Sequence, residues 1–171
     1  MRRARLRLVG PALALAALGA VIWDGRAAEA LLPVGDVPPV VFERFERRGT
    51  PNEFLACPPY YFRCHALPDR ESPVLGVPVE RLAAAWGRVV AGEPRVSLLR
   101  ADAASLQYDY VQRSAVFRFP DLVTVRFFPL EGARSSLAIY SRSVYGRGDL
   151  GVNRRRVERW LAVLRTEVAR G

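Results

Sequence analysis

The residues best suited to bind a ligand lie near the C-terminus, where a glycine-rich loop precedes a run of arginines. The loop is Gly146-Arg-Gly-Asp-Leu-Gly151, and the run is Arg154 to Arg156. Free N–H groups and the dipole at a helix start favour anions, whereas a cation there is unfavourable by about 0.3–1 kcal/mol. Arginines at this position therefore suggest an anionic partner. We predict that a phosphate or carboxylate is held by Arg142, Arg147, Gly148, Asn153, Arg154 and Arg156.

The same block also has a structural interpretation. In that alternative, Asp149 and Glu158 pair with the arginines and the glycines only shape a tight turn. The loop matches the spacing G-x-G-x-x-G, but a dinucleotide site needs a second parallel strand and an acidic residue about 20 positions later. Here the chain ends before a second parallel strand, so we do not interpret the loop as a nucleotide site.

Residues suited to catalysis are few. His65 is the only histidine, so a Ser-His-Asp triad would need it beside Ser141 or Ser143, and no G-x-S-x-G motif occurs. The chain has no lysine, which excludes a Walker phosphate loop and Schiff-base chemistry. An enzyme that uses Asp149 as acid/base on an envelope substrate is the alternative to a binding protein. We predict no cofactor.

Cys57 and Cys64 are the only cysteines. A pair of cysteines in an oxidising compartment most often forms a disulfide, which is our prediction. Two free thiols, or a metal site completed by His65, are the alternatives. The metal site lacks a fourth ligand and a usual zinc spacing, so we predict no metal.

Hydrophobic periodicity predicts an α+β domain. Apolar residues recur with helical spacing over 78–91, and again from Arg154 to about Ala169 with Asn153 as N-cap. Between these helices, from Arg95 onward, apolar and polar residues alternate with a period of two and short connections. We predict a four- or five-stranded antiparallel sheet packed by two helices.

The N-terminus predicts export or membrane anchoring. Four arginines at positions 2, 3, 5 and 7 precede an uncharged, apolar run over residues 8–23. Two readings are open: a signal peptide cleaved after Ala30, or a retained signal anchor. We therefore divide the chain into a signal segment, residues 1–30, a linker, residues 31–49, and a globular domain, residues 50–171.

Charge placement predicts the orientation of that domain. The four N-terminal arginines should stay in the cytoplasm, which places the domain in the periplasm or outside the cell. The net charge of +9 is concentrated at the two ends, since residues 31–133 hold equal numbers of Arg and acidic residues. A neutral body and an exported location argue against nucleic-acid binding.

The C-terminal block resembles the bacterial family called domain of unknown function 1499. The likeness covers roughly residues 50–168 and implies an exported or membrane-anchored domain without an established activity. Upstream segments that share it are 50–53, 56–58 and 72–74. The residues that carry it near the C-terminus are Ser141, Ser143, Gly146, Asp149, Gly151, Asn153 and Arg154 to Arg156.

Together these features predict a non-enzymatic protein that binds an anionic envelope ligand. The ligand classes are a lipid headgroup, a phosphate-bearing envelope component or a cluster of protein carboxylates. A structural subunit of a membrane complex is a further alternative. The predicted membrane contact is through residues 8–23.

Overall fold

Six strands and three helices form the part of the chain that the computed structural model describes, residues 25–59 and 63–171. The sheet order is β2-β1-β6-β5-β4-β3. In chain order the elements are α1 (Gly25–Leu31), β1 (Glu53–Cys57), β2 (Arg70–Glu71), α2 (Val79–Ala91), β3 (Val96–Asp102), β4 (Gln107–Arg113), β5 (Pro120–Leu130), β6 (Arg134–Ser143) and α3 (Val152–Arg170).

The α+β class is confirmed, and β3 to β6 form the expected antiparallel meander. The strand number was predicted wrongly, because β1 and β2 extend the sheet beyond β6 and pair in parallel. All five residues of β1 are buried, so this strand has no polar alternation. β2 is only two residues long, too short for a periodic pattern.

Helices α2 and α3 cover one face of the sheet. The helix predicted over 78–91 is confirmed as α2, with Pro78 as its N-cap residue. Its Trp86 meets Trp160 of α3 edge to face, with ring centroids 5.6 Å apart. Both indoles are buried against the sheet, and they anchor the main core.

The segment before β1 covers the opposite face of the sheet. It was predicted as a linker, but Val37 and Phe42 are buried there. Polar contacts from the sheet help to hold the segment; Arg100 Nη2, for example, donates to the carbonyl of Val37 at 2.6 Å, and Gln107 Nε2 to that of Val40 at 3.0 Å. The sheet is therefore covered on both faces.

The disulfide prediction is confirmed. Cys57 at the end of β1 is bonded to Cys64, and both are buried in the smaller core beneath the N-terminal segment. His65, which would complete the alternative metal site, is exposed.

The predicted membrane segment, residues 8–23, lies outside the described residues. Within 25–59 and 63–171, the helices are too short or too polar to cross a bilayer.

Removing the disulfide should destabilise the oxidised protein. We expect Cys57→Ala with Cys64→Ala to lower the free energy of unfolding by about 2–3 kcal/mol, because the unfolded chain regains the entropy of a small closed loop. Urea denaturation measures the loss. Reductant should shift the parent protein equally and leave the double variant unchanged; a parent insensitive to reductant would contradict the bond.

Candidate functional site

The sequence-predicted binding residues lie on two different faces of the sheet. Successive side chains of a strand point to opposite faces. On β6, Ser141 and Ser143 face α3, where Ser141 Oγ donates to Asn153 Oδ1 at 2.6 Å. Arg142 faces the N-terminal segment instead. The structure therefore does not bring Arg142 together with the arginines of α3.

Arg156 belongs to α3 and is buried between this helix and the sheet. Every nitrogen of its guanidinium has a partner in the protein. Nε donates to Gln112 and Nη2 to the Asp121 carboxylate, both at 2.5 Å. Nη1 donates to Ser141 Oγ at 2.9 Å and to Asn153 Oδ1 at 2.7 Å. This arrangement corresponds to the structural alternative, although the carboxylate is Asp121 rather than Asp149 or Glu158.

Asn153 is not the N-cap residue, contrary to our prediction. The cap position belongs to Gly151, which has a left-handed backbone with φ 76°. The Asp149 carboxylate accepts the N–H of Gly151 at 2.9 Å and that of Asn153 at 2.7 Å, so Asp149 satisfies two of the N–H groups at the start of α3. The Asn153 side chain is thereby left to donate to the Asn52 carbonyl at 2.9 Å, which ties α3 to the start of β1.

The other predicted residues of this corner are exposed and do not converge. Arg154 Nε donates to Glu158 at 3.0 Å, one helical turn away. Arg147 and Gly148 lie on the exposed loop before α3. Within the described part of the chain, Arg147 has no ion pair. Asp149 lines a cavity of about 270 Å³ beside this loop, with Ser143 and Gly146.

A cavity of about 560 Å³ lies on the other face, between the N-terminal segment and the sheet. Its apolar lining comes from both sides: Val34, Val37, Pro38, Pro39, Val40, Val41, Phe45, Leu122 and Val144. Its polar lining is Asp36, Arg44, Glu46, Arg48, Tyr140 and Arg142.

Arg142 is the buried charge of this cavity, only 6% exposed. Its Nη1 donates to Thr124 Oγ1 at 3.2 Å, and its guanidinium lies 4.8 Å from the centre of the Tyr140 ring. Among residues 25–59 and 63–171, no carboxylate oxygen lies within the 4.0 Å ion-pair distance of this guanidinium. Burial lowers the pKa of Arg142, because the cation loses its hydration.

Two carboxylates, Asp109 and Glu53, favour the charged form of Arg142 electrostatically, and both are bound by other groups. Glu53 accepts hydrogen bonds from the Tyr140 hydroxyl and from Arg47 Nε. Asp109 accepts from Thr124 at 2.6 Å and pairs with Arg100 at 3.5 Å. Arg142 therefore attracts them only from a distance.

Burial raises the pKa of the Tyr140 phenol, and its hydrogen bond to Glu53 raises it further. The phenol is therefore protonated at neutral pH and acts as a donor to the carboxylate. This hydrogen bond keeps Glu53 engaged, and Tyr140 lines the cavity beside Arg142.

Sequence reasoning missed Tyr140 and Arg48 as members of this site, and it missed Glu53 as the partner of Tyr140. Arg48 lines the cavity, and its Nη1 donates to the Ser143 carbonyl at 3.0 Å. Glu53 lay within a segment that carried the family resemblance, but nothing in the sequence paired it with β6. The alternation of Tyr140 and Arg142 on one face of a strand was the signal that could have linked these two.

Arg156 should be required for stability, and Arg154 should not. Arg156→Met leaves the buried Asp121 carboxylate unpaired, so we expect a loss of about 3–5 kcal/mol in the free energy of unfolding. Arg154→Ala removes only an exposed pair and should change it by less than about 0.5 kcal/mol. Urea denaturation of the two variants tests this; equal effects would contradict the structural role of Arg156.

One comparison with known proteins bears on this chain. The family described as "Protein of unknown function (DUF1499)" matches residues 66–164. The match covers more than half of the chain and includes both Arg142 and Arg156; it begins later than the residue 50 that the resemblance suggested. No curated protein matches the sequence. On this match, the chain belongs to the protein family of unknown function DUF1499.

Proposed function

We propose that this domain is a non-enzymatic, membrane-associated protein, facing away from the cytoplasm, that binds an acidic amphiphile. The amphiphile would carry a phosphate or carboxylate on an apolar chain, and it would occupy the cavity at Arg142. The observation that carries the proposal is a buried guanidinium that lines a cavity and has no carboxylate partner among the described residues. Buried charges in proteins are normally paired, because an unpaired one loses its hydration without compensation.

Arg142 has the donors that an acidic headgroup needs. A guanidinium has five N–H donors in a planar fork that matches the oxygens of phosphate and carboxylate. Only one protein acceptor, Thr124 Oγ1, is hydrogen-bonded to this group among the described residues. Arg44 and Arg48 add positive charge to the lining, against Asp36 and Glu46.

The walls of the cavity suit the apolar part of an amphiphile. Val37 and Leu122 are buried in one cluster, which Val34 and Val144 join from its edge. Sites for small ligands are commonly apolar with a few polar groups that fix orientation. An inorganic anion would leave the partly exposed Val34 and Val144 uncovered, whereas an amphiphile would cover them.

Two features favour an envelope location for this ligand. The Cys57–Cys64 disulfide is typical of an oxidising compartment. The apolar run at 8–23, with arginines before it, is the sequence pattern of an export signal or anchor. Membranes are rich in acidic amphiphiles, so ligand and protein would meet there.

The two alternatives from the sequence stay predictions. For an enzyme that uses Asp149, the supporting observation is the cavity that this residue lines. Both oxygens of that carboxylate already accept N–H bonds that hold the start of α3, which gives this alternative less support. A structural subunit of a membrane complex has no particular observation in its favour.

Octyl phosphate is a suitable test ligand. We expect saturable binding to the full-length protein in phosphatidylcholine nanodiscs, measured by isothermal titration calorimetry with empty nanodiscs as background. Octanol has only the apolar chain and inorganic phosphate has only the anionic group, so each should bind more weakly than octyl phosphate. Arg142→Met should weaken octyl phosphate binding at least tenfold, or about 1.4 kcal/mol.

Arg147→Ala is the matched control, because Arg147 is an exposed arginine of the predicted set outside this cavity. It should bind octyl phosphate as the parent does. Circular dichroism should show that Arg142→Met folds, since Arg142 has no ion pair among the residues that the structure describes. Equal binding by Arg142→Met and the parent, or a loss caused only by Arg147→Ala, would reject the site.

A further inference from the structure

We propose that one end of the sheet docks onto the surface of a lipid bilayer. This end presents the loop between β4 and β5 beside the loop between β6 and α3. We define the apolar patch by Val116, Phe117, Phe119, Tyr145 and Leu150, which are exposed among the described residues. Phe117 is 66% exposed and Leu150 is 94% exposed. Aromatic and aliphatic side chains of this kind are favoured at the boundary between lipid and water.

The aromatic part of the patch is continuous and is held in place. The ring centroids of Phe117 and Phe119 lie 6.0 Å apart, and those of Phe119 and Tyr145 lie 6.3 Å apart. Ser114 closes the first loop, since its N–H donates to the Phe119 carbonyl and its Oγ accepts the Phe119 N–H, both at 3.0 Å. The rings are thus presented together by a hydrogen-bonded turn.

The N-terminal segment reaches the domain at this same end, which argues for lipid as the occupant. The Tyr145 hydroxyl donates to the Pro33 carbonyl at 2.6 Å, and Arg113 Nη1 donates to the Leu32 carbonyl at 3.2 Å. The apolar run at 8–23 ends two positions before Gly25, where α1 begins. Because the seven residues of α1 span only about 10 Å, a bilayer entered by that run would lie close to the patch.

The charges around the patch also fit an acidic lipid surface. Arg118 and Arg147 lie in the two loops. The nearby acids are engaged: Glu29 lies 3.8 Å from Arg113, Asp149 accepts the N–H groups at the start of α3, and Asp121 is paired with Arg156. Basic residues beside exposed aromatic side chains are typical of surfaces that bind acidic membranes.

Site-specific fluorescence in the full chain tests this docking. Phe117→Cys is labelled with bimane, since the native cysteines are bonded to each other. The protein is reconstituted in phosphatidylcholine vesicles that contain phosphatidylglycerol and a spin-labelled lipid. We expect the lipid quencher to reduce emission from position 117 at least about twofold more than from a label at Val163→Cys, on the outer surface of α3. Aqueous iodide should show the reverse preference.

Three results would overturn the proposal. Equal lipid quenching at 117 and 163 would place the patch in water. Protection of position 117 from iodide without lipid quenching would show that a second copy, or residues 8–23, covers it. Failure of the protein to float with the vesicles would show that it does not associate with the bilayer. The docking rests on the proposed membrane association but not on the cavity. Calorimetry could therefore show no binding of octyl phosphate while docking is observed, and it could show binding while docking is absent.

Discussion

Side chains along β6 alternate between the two faces of the sheet, and the rest of the structure depends on this alternation. It sends Ser141 beneath α3, where Arg156 and Asn153 bind it. It sends Arg142 to the opposite face, beneath the N-terminal segment. A shift of one residue in register would exchange these two side chains between the faces. One strand therefore supports both the attachment of the C-terminal helix and the proposed binding cavity.

The two buried arginines on these faces differ in their partners. Arg156 has a carboxylate, two amides and a hydroxyl around it, so its charge is compensated inside the protein. Arg142 has one hydroxyl and the face of one aromatic ring. The penalty of burying a charge is similar for both arginines. A bound anion would therefore stabilise the protein more at Arg142 than at Arg156.

The elements that the sequence predicted best are long and periodic. Helix α2 and the meander from β3 to β6 show clear periods of 3.6 and two residues over many positions. β1 and β2 were missed because one is buried at every position and the other has only two residues. The prolines of the N-terminal segment predict only an extended linker. Its buried residues, Val37 and Phe42, show no period that predicts packing on a sheet.

The candidate site could be predicted only in part. The sequence placed Arg142 among the binding residues, but it grouped this arginine with others that lie across the sheet or in solvent. Grouping residues by their position in the chain failed for two reasons. The carboxylate partner of Arg156 is 35 residues away, and most of the residues that line the cavity at Arg142 come before β1. Local patterns identify a helix start or a strand, whereas a pair between distant elements depends on register.

The most direct test of the central claim is the free energy of unfolding of the parent protein and Arg142→Met, measured with and without octyl phosphate. Without ligand, we expect Arg142→Met to be at least as stable as the parent, because an uncompensated buried charge is removed. Octyl phosphate at 100 times its dissociation constant for the parent should stabilise the parent by about 2.7 kcal/mol, and Arg142→Met, which binds at least tenfold more weakly, by no more than about 1.4 kcal/mol. A ligand-free Arg142→Met as unstable as Arg156→Met, or stabilised by octyl phosphate as strongly as the parent, would contradict a binding role for Arg142.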